Sequence, residues 1–241
     1  MADAIDSTNE WAKRVLSEKA ISNGTIFQAA HQSEGKGQKG KIWKSDWGLN
    51  ALFTIVLKSK FIEYQKLPYL NFSMALATAD AIKSYVSSKP VYIKWPNDIY
   101  IGDKKIAGIL IENTSERGER YSMVGIGMNV NQAEFASDLV RATSLMLALG
   151  KSKDVLEIIQ RVVTCIEKRY YDLIQKRPLK HIQEEYVELL YMKEQMLQIV
   201  EDKAINYAKV RGVDALGRLV VSNDQGSQSI SHGEKELRWN W

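Results

Sequence analysis

Apolar positions recur at helical spacing in some stretches of this chain and run together or alternate in others. Residues 154–175 carry apolar side chains at 155, 158, 159, 162, 166, 170, 173 and 174, the stripe of an amphipathic helix. A shorter helix is expected from Ser7 or Thr8 to about Glu18. A hydroxyl there suits the N-cap, and Trp11, Val15 and Leu16 share a face. Pro68 fits the first turn of another helix, running to about Val86 and rich in alanine (75, 77, 79, 81). Residues 178–190 give a fourth. Strands are expected at 25–31, 51–57, 90–94, 99–101, 105–112 and 121–130, separated by Asn23-Gly24, Pro96-Asn97-Asp98 and Gly102-Asp103. After residue 193 the texture changes. Four short strands, at 196–200, 205–213, 219–222 and 227–231, are joined by polar turns and read as a small β-barrel. The helices lie mostly before and after a run of hairpin-linked strands. That is an α+β order, not the βαβ alternation of a doubly wound fold. The expected division is 1–193 and 194–241.

Composition changes this picture little. The 241 residues are 45% hydrophobic and 26% charged, with a formal net charge of +4, values of an ordinary globular chain. A charge of that size does not by itself mark a nucleic-acid binder. The single cysteine, Cys165, excludes an internal disulfide, a cysteine-based metal site and a Cys-x-x-Cys pair. No run approaches the roughly 20 apolar residues of a membrane span, and the first residues lack the pattern of a signal peptide. A reducing, cytoplasmic setting without membrane contact is the expectation.

Four segments could carry chemistry. Gly35-Lys36-Gly37-Gln38-Lys39-Gly40-Lys41, followed by Trp43, alternates glycines with lysines. Such a loop can bring N–H groups and positive charge to an anion, though a solvated basic loop fits the composition as well. It is neither a P-loop nor a dinucleotide fingerprint, because a strand follows it. Lys94-Trp95-Pro96-Asn97-Asp98 places an amide and a carboxylate between two apolar strands. Asp98 could meet Mg²⁺ beside phosphate oxygens, or simply belong to a turn. Lys105-Ile106-Ala107-Gly108-Ile109-Leu110 puts a lysine near a small residue at a strand start. Gly125-Ile126-Gly127-Met128-Asn129 leaves room beside a strand for a ligand or a close backbone. His31, His181 and His232 show no metal spacing, and Cys165 fits a helix's apolar side.

In this order, and together with Asp6-Ser7-Thr8-Asn9 and Gln32, these motifs resemble the biotin protein ligases over nearly the whole chain. The resemblance implies a class II synthetase-like core, a central mixed sheet flanked by helices, with a small C-terminal SH3-like barrel. It implies ATP and biotin as substrates, with Mg²⁺. Biotin is activated as biotinyl-5′-AMP and passed to a lysine of a biotin carboxyl carrier protein, that of acetyl-CoA carboxylase or a related carboxylase. By the same resemblance Lys105 and Lys36 are the catalytic cations. Ser7, Thr8, Asn9, Gln32, Gly35, Lys36, Gly37, Gly108 and Leu110 surround biotin. Gln38, Lys39, Gly40, Trp43, Lys94, Asn97, Asp98, Asn129 and Arg238 surround the adenylate, with Asp98 nearest a metal. The family's basic loop commonly carries arginine where this chain has Gln38. The chain begins almost at the Ser-Thr-Asn motif, so the form without an N-terminal DNA-binding domain is expected, with no DNA partner. A homodimer through the edge of the central sheet stays open. Competing readings are a lipoate- or octanoate-transferring relative, whose Arg-Arg-x-x-Gly-Gly-Gly signature is absent, and a non-enzymatic ligand- or nucleic-acid-binding module.

Overall fold

The computed structural model describes residues 1–175, 178–201 and 204–239. Strands β1 (Ala2–Ile5), β2 (Thr25–Gln32), β3 (Asn50–Lys58), β4 (Val91–Lys94), β5 (Asp98–Ile101), β6 (Lys104–Glu116) and β7 (Glu119–Asn129) form one seven-stranded sheet. Their order is β1-β2-β3-β7-β6-β5-β4. β1 runs parallel to β2 and the other pairs are antiparallel, so the sheet is mixed as expected.

The two faces of this sheet differ because side chains alternate along each strand. Phe53, Ile55, Val124, Ile126 and Ile109 point to one face and are buried. There they meet helices α2 (Leu67–Lys83) and α4 (Val155–Ile174). The alanines of α2 at 75, 77, 79 and 81 are all buried, so a helix of small side chains lies close to its neighbours. On the other face α1 (Thr8–Glu18) covers one end through Ala12 and Leu16 against Phe27, Val56, Tyr121 and Met123. The rest of that face carries Gly108, Leu110, Gly125, Gly127 and Asn129.

A short helix α3 (Leu145–Leu149) and helix α5 (Leu179–Glu188) are the remaining α-helices among the described residues. Strands β8 (Met196–Glu201), β9 (Ala204–Val213), β10 (Leu219–Asn223), β11 (Gly226–Ile230) and β12 (Glu236–Arg238) make a second, antiparallel sheet. Its order is β11-β10-β9-β8-β12. The expected barrel is thus an open five-stranded sheet, in which β11 and β12 are the two edges among the described residues. Its inner side chains Leu197, Val210, Leu219 and Ile230 join the same apolar core as the large sheet. Gln183 Nε2 donates to Val213 O at 2.6 Å and Trp95 Nε1 to Gly217 O at 2.9 Å, tying this sheet to α5 and to the turn after β4.

Three elements were not expected from the sequence: β1, α3 and β12. Each has five residues or fewer, too short to display a period. The expected N-cap hydroxyl also plays another part. Ser7 does cap α1 by position, but its side chain makes no capping hydrogen bond. Instead the Arg14 guanidinium grips Asp6 at 2.6 and 2.9 Å, and Ser7 N–H donates to the same carboxylate. The Arg14 hydrogen bond, with help from Ser7 N–H, holds the Asp6 carboxyl at about 2, well below the usual range. A carboxyl lowered on folding stabilises the fold above its unfolded pKa of about 3.9, and that contribution disappears as pH falls from there toward 2. Urea unfolding of wild type and Asp6→Asn should therefore differ at pH 6 and converge by about pH 2. A gap that stays constant over that range rules out the linkage.

Candidate functional site

The register of the large sheet assembles the site. β5, β6 and β7 pair so that Asp98 lies opposite Gly108 and Gly108 opposite Gly127. One step along, Leu110 faces Gly125, which faces Thr54 of β3. The strand period of two thus puts Gly108, Gly125, Gly127, Leu110, Asp98 and Thr54 on a common surface. A cavity of about 580 Å³ opens over it, between the large sheet, the basic loop and the 232–239 segment.

One end of the cavity is neutral and densely hydrogen-bonded. Ser7, Thr8 and Asn9 are all buried, an unusual condition for the first turn of a helix. Gln32 Oε1 accepts from Thr8 N–H at 2.8 Å and lies 3.0 Å from Thr8 Oγ1. Thr54 Oγ1 donates to Asn9 Oδ1 at 2.6 Å, and Asn9 Nδ2 donates to Glu112 Oε2 at 2.7 Å. Gly125 is what admits Asn9: a Cβ on residue 125 would fall inside the Asn9 carboxamide.

The other end is cationic. Among the described residues the cavity wall includes seven lysines (36, 39, 41, 44, 94, 105 and 235) against two carboxylates, Asp98 and Glu236. Lys105 Nζ lies 2.7 Å from Asp98 Oδ1. Lys94 is largely buried beside Tyr100 OH (3.3 Å) and the rings of Tyr100 and Trp239. Burial pushes its amine below the usual lysine range, with Asp98 opposing the shift. His232 packs edge-on against Trp95, and burial followed by the charges of Lys39 and Lys41 lowers its pKa. Such a wall suits a polyanion.

Trp43 roofs the glycine surface. Its ring is seated so close that a Cβ at Gly127 would come within 2.5 Å of it and one at Gly108 within 3.2 Å. Its Nε1 is buried without a hydrogen-bond partner among the described residues, and Lys105 Nζ stands 5.5 Å from its ring.

Most of the expected residues meet here: Ser7, Thr8, Asn9, Gln32, Lys36, Gly37, Gln38, Lys39, Trp43, Lys94, Asn97, Asp98, Lys105, Gly108, Leu110 and Asn129 all line the cavity. Three do not. Gly35 stands behind the wall, where a Cβ would press on the Trp43 carbonyl. Gly40 is part of the exposed turn Gln38–Gly40. Arg238 is exposed on β12 and is not part of the cavity wall, although its Nε pairs at 2.8 Å with Glu236, which is. Two other side chains are already engaged. Asn97 Nδ2 donates to Ile109 O, and Asn129 Nδ2 donates to Thr143 O at 2.9 Å.

Sequence reasoning missed Phe135, Leu139 and Ala142, from a stretch with no period, and Lys44, His232 and Lys235. His232 carried no signal, since its neighbour Trp95 is far away in sequence. As for a metal, no group of three or more His, Cys, Asp or Glu gathers among the described residues. The donor set at Asp98, one carboxylate already taken by Lys105, fits only an ion that arrives with phosphate oxygens. Among the described residues no helix is long and apolar enough to cross a membrane.

Three comparisons bear on this site. Residues 1–131 match the model of the biotin/lipoate A/B protein ligase family. The bifunctional ligase/repressor BirA of Bacillus subtilis is 33% identical over 98% of this chain and 72% of its own length. The biotin–[acetyl-CoA-carboxylase] ligase of Mycobacterium tuberculosis is 28% identical over 61% of this chain and 54% of its own. The biotin protein ligase of Aquifex aeolicus, solved with biotin and ATP, superposes with a TM-score of 0.82 at 28% identity, covering 99% of this chain and 97% of that one.

Proposed function

The chain belongs to the biotin/lipoate A/B protein ligase family, and from that premise we propose that it is an ATP-dependent biotin protein ligase. The observation that carries the reading is the polarity of the cavity. A neutral hydrogen-bonding end at Thr8, Asn9 and Gln32 and a lysine-rich end at Lys105 and Lys94 share one volume of about 580 Å³. That volume is in the range of small-molecule sites. The neutral end supports a ureido ring and the cationic end a phosphate chain.

The chemistry asks for this arrangement. A carboxylate does not acylate an amine until its oxygen is bound to a better leaving group. One biotin carboxylate oxygen forms a bond to the α-phosphorus of ATP as the bond to pyrophosphate breaks. Negative charge gathers on the phosphate oxygens, and an ammonium fixed in place offsets it without reorganising. Lys105, held on β6 by Asp98, fills that role in this reading, with Lys94 next to it. In the second half the acceptor lysine nitrogen bonds to the acyl carbon, the bond to AMP breaks, and the nitrogen loses a proton. The acceptor is a biotin carboxyl carrier domain, and that of acetyl-CoA carboxylase is the specific substrate we favour. Trp43 and the basic loop keep water from the mixed anhydride between the two steps. Mg²⁺ would enter with the triphosphate near Asp98 and neutralise part of its charge. Biotin-dependent release of pyrophosphate from ATP tests the whole reading, and its absence in well-folded protein overturns it.

Gln38 lines the cavity in the loop where the resembling sequences commonly have arginine. A charged donor there would add a hydrogen bond worth about 1.5–3 kcal/mol. Gln38→Arg is therefore expected to slow loss of the acyl-adenylate by about tenfold or more, read by filter retention of labelled intermediate. Unchanged or faster loss counts against a phosphate contact at this position.

A further inference from the structure

The basic loop is fastened to the rest of the molecule by an ion pair that the proposed reaction does not require. Lys36 Nζ lies 2.7 Å from Glu10 Oε1, on the first turn of α1. The same oxygen takes Lys13 Nζ at 2.9 Å, Lys13 also meets Glu112 Oε1 at 2.7 Å, and Glu112 Oε2 accepts from Asn9. Two cations and two anions therefore alternate in a cluster anchored on a buried asparagine of the cavity wall. The backbone hydrogen bonds of the loop are internal, from Trp43 N–H to Gly35 O, Gly37 N–H to Lys41 O and Lys41 N–H to Gln38 O. They shape the loop without fastening it to anything else.

We propose that Glu10 is a positioning residue that latches the 35–43 loop onto α1 and so holds the roof of the cavity closed. Lys36 is then the loop's half of the latch, and its charge is spent on Glu10 instead of on phosphate. The geometry favours this division of labour. Lys36 meets its carboxylate on α1, beside Asn9 of the neutral end, whereas Lys94 and Lys105 stand together around Asp98 at the cationic end. The Glu10 carboxyl is lowered by Lys36 first and Lys13 second, which agrees with an ion pair formed in the folded chain. Because Glu10 and Lys36 are both partly exposed, the pair is sensitive to salt.

The link to catalysis rests on the ligase reading, but the latch itself can be tested without any ligand. Hydrogen exchange of the 33–44 segment would be followed in ligand-free wild type, Glu10→Gln, Lys36→Gln and the double variant, with Glu18→Gln at the exposed far end of α1 as control. The expected result is three- to tenfold faster exchange in each single variant, no further gain in the double, and an unchanged control. Raising NaCl from 0.1 to 0.5 M should bring wild type toward the variants. Exchange in Glu10→Gln equal to wild type overturns the proposal, as does full additivity of the two single variants. A second arm, with biotin and ATP, measures retention of the adenylate and the KM for biotin. Glu10→Gln should raise the KM several-fold and shorten retention while kcat for pyrophosphate release changes less than twofold. A Lys36→Gln loss of kcat far beyond that of Glu10→Gln would instead make Lys36 a phosphate ligand and refute the latch. If wild type makes no adenylate at all, the function fails, while the exchange experiment still decides the latch.

Discussion

Replacing Lys105 by methionine should abolish most biotin-dependent pyrophosphate release and leave the fold intact. The loss expected is about 10²–10³-fold, the usual cost of removing one preorganised group that stabilises transition-state charge. The side chain is partly exposed, and its recorded ion pair is to Asp98 at 2.7 Å. A pair of that exposure contributes about 0–1 kcal/mol to stability. Methionine keeps the aliphatic stem, so the melting temperature should move by only a few degrees. Transfer from pre-made biotinyl-AMP should fall less, because activation is then already complete. Asp98→Asn gives a useful contrast, since it keeps the ammonium but loosens its hold and should cost less than the lysine itself. Near wild-type turnover by Lys105→Met would remove this residue from the mechanism and require another cation, Lys94 being the alternative in the same wall.

Substituting Gly125 by alanine should damage the neutral end of the cavity as selectively as Lys105→Met damages the cationic end. The backbone there is ordinary strand, so alanine suffers no torsional strain. The clash is with Asn9, whose carboxamide occupies the place of the new methyl. Asn9 cannot swing away cheaply, because it is buried and bonded to Thr54 and to Glu112 at 2.6 and 2.7 Å. Overpacking a tight interior typically costs about 1–3 kcal/mol. For a chain of this length that amounts to a fall in melting temperature of about 2–12 °C. The KM for biotin should rise at least tenfold, with a smaller effect on the KM for ATP, whose phosphates are assigned to the other end. Unaltered stability together with unaltered biotin dependence would mean that Asn9 has room the structure does not give it. Equal losses for both substrates would point to general disruption of β7.

These two positions illustrate how differently the site is written into the chain. The glycines, lysines and the Trp-Pro-Asn-Asp break stand out in the primary sequence because each interrupts an apolar strand with something a strand core does not need. The long helices and central strands were legible for the same reason: their periods extend over enough residues to be counted, as in the stripe of α4. The mixed order of elements gave the α+β class, and the ordered set of motifs gave the resemblance to a family.

What the sequence could not determine was anything set by pairing between distant segments. Gly125 and Asn9 are separated by more than a hundred residues, and only the packing of α1 onto β3, β7 and β6 puts one against the other. Glu10 and Lys13 on α1 and Glu112 on β6 form one cluster only because packing brings the helix onto the strand. Arg238 was placed at the adenylate by resemblance, yet it is exposed on β12 and its Nε pairs with Glu236, outside the cavity wall itself. The four short C-terminal strands suggested closure into a barrel, but closure depends on whether the edge strands meet, and here β12 joins β8 and leaves the sheet open. Local composition fixes which residues can form an element and which can carry charge. Which way a side chain faces, and what it meets there, is decided by register and packing, because a shift of one residue moves every side chain of a strand to the opposite face.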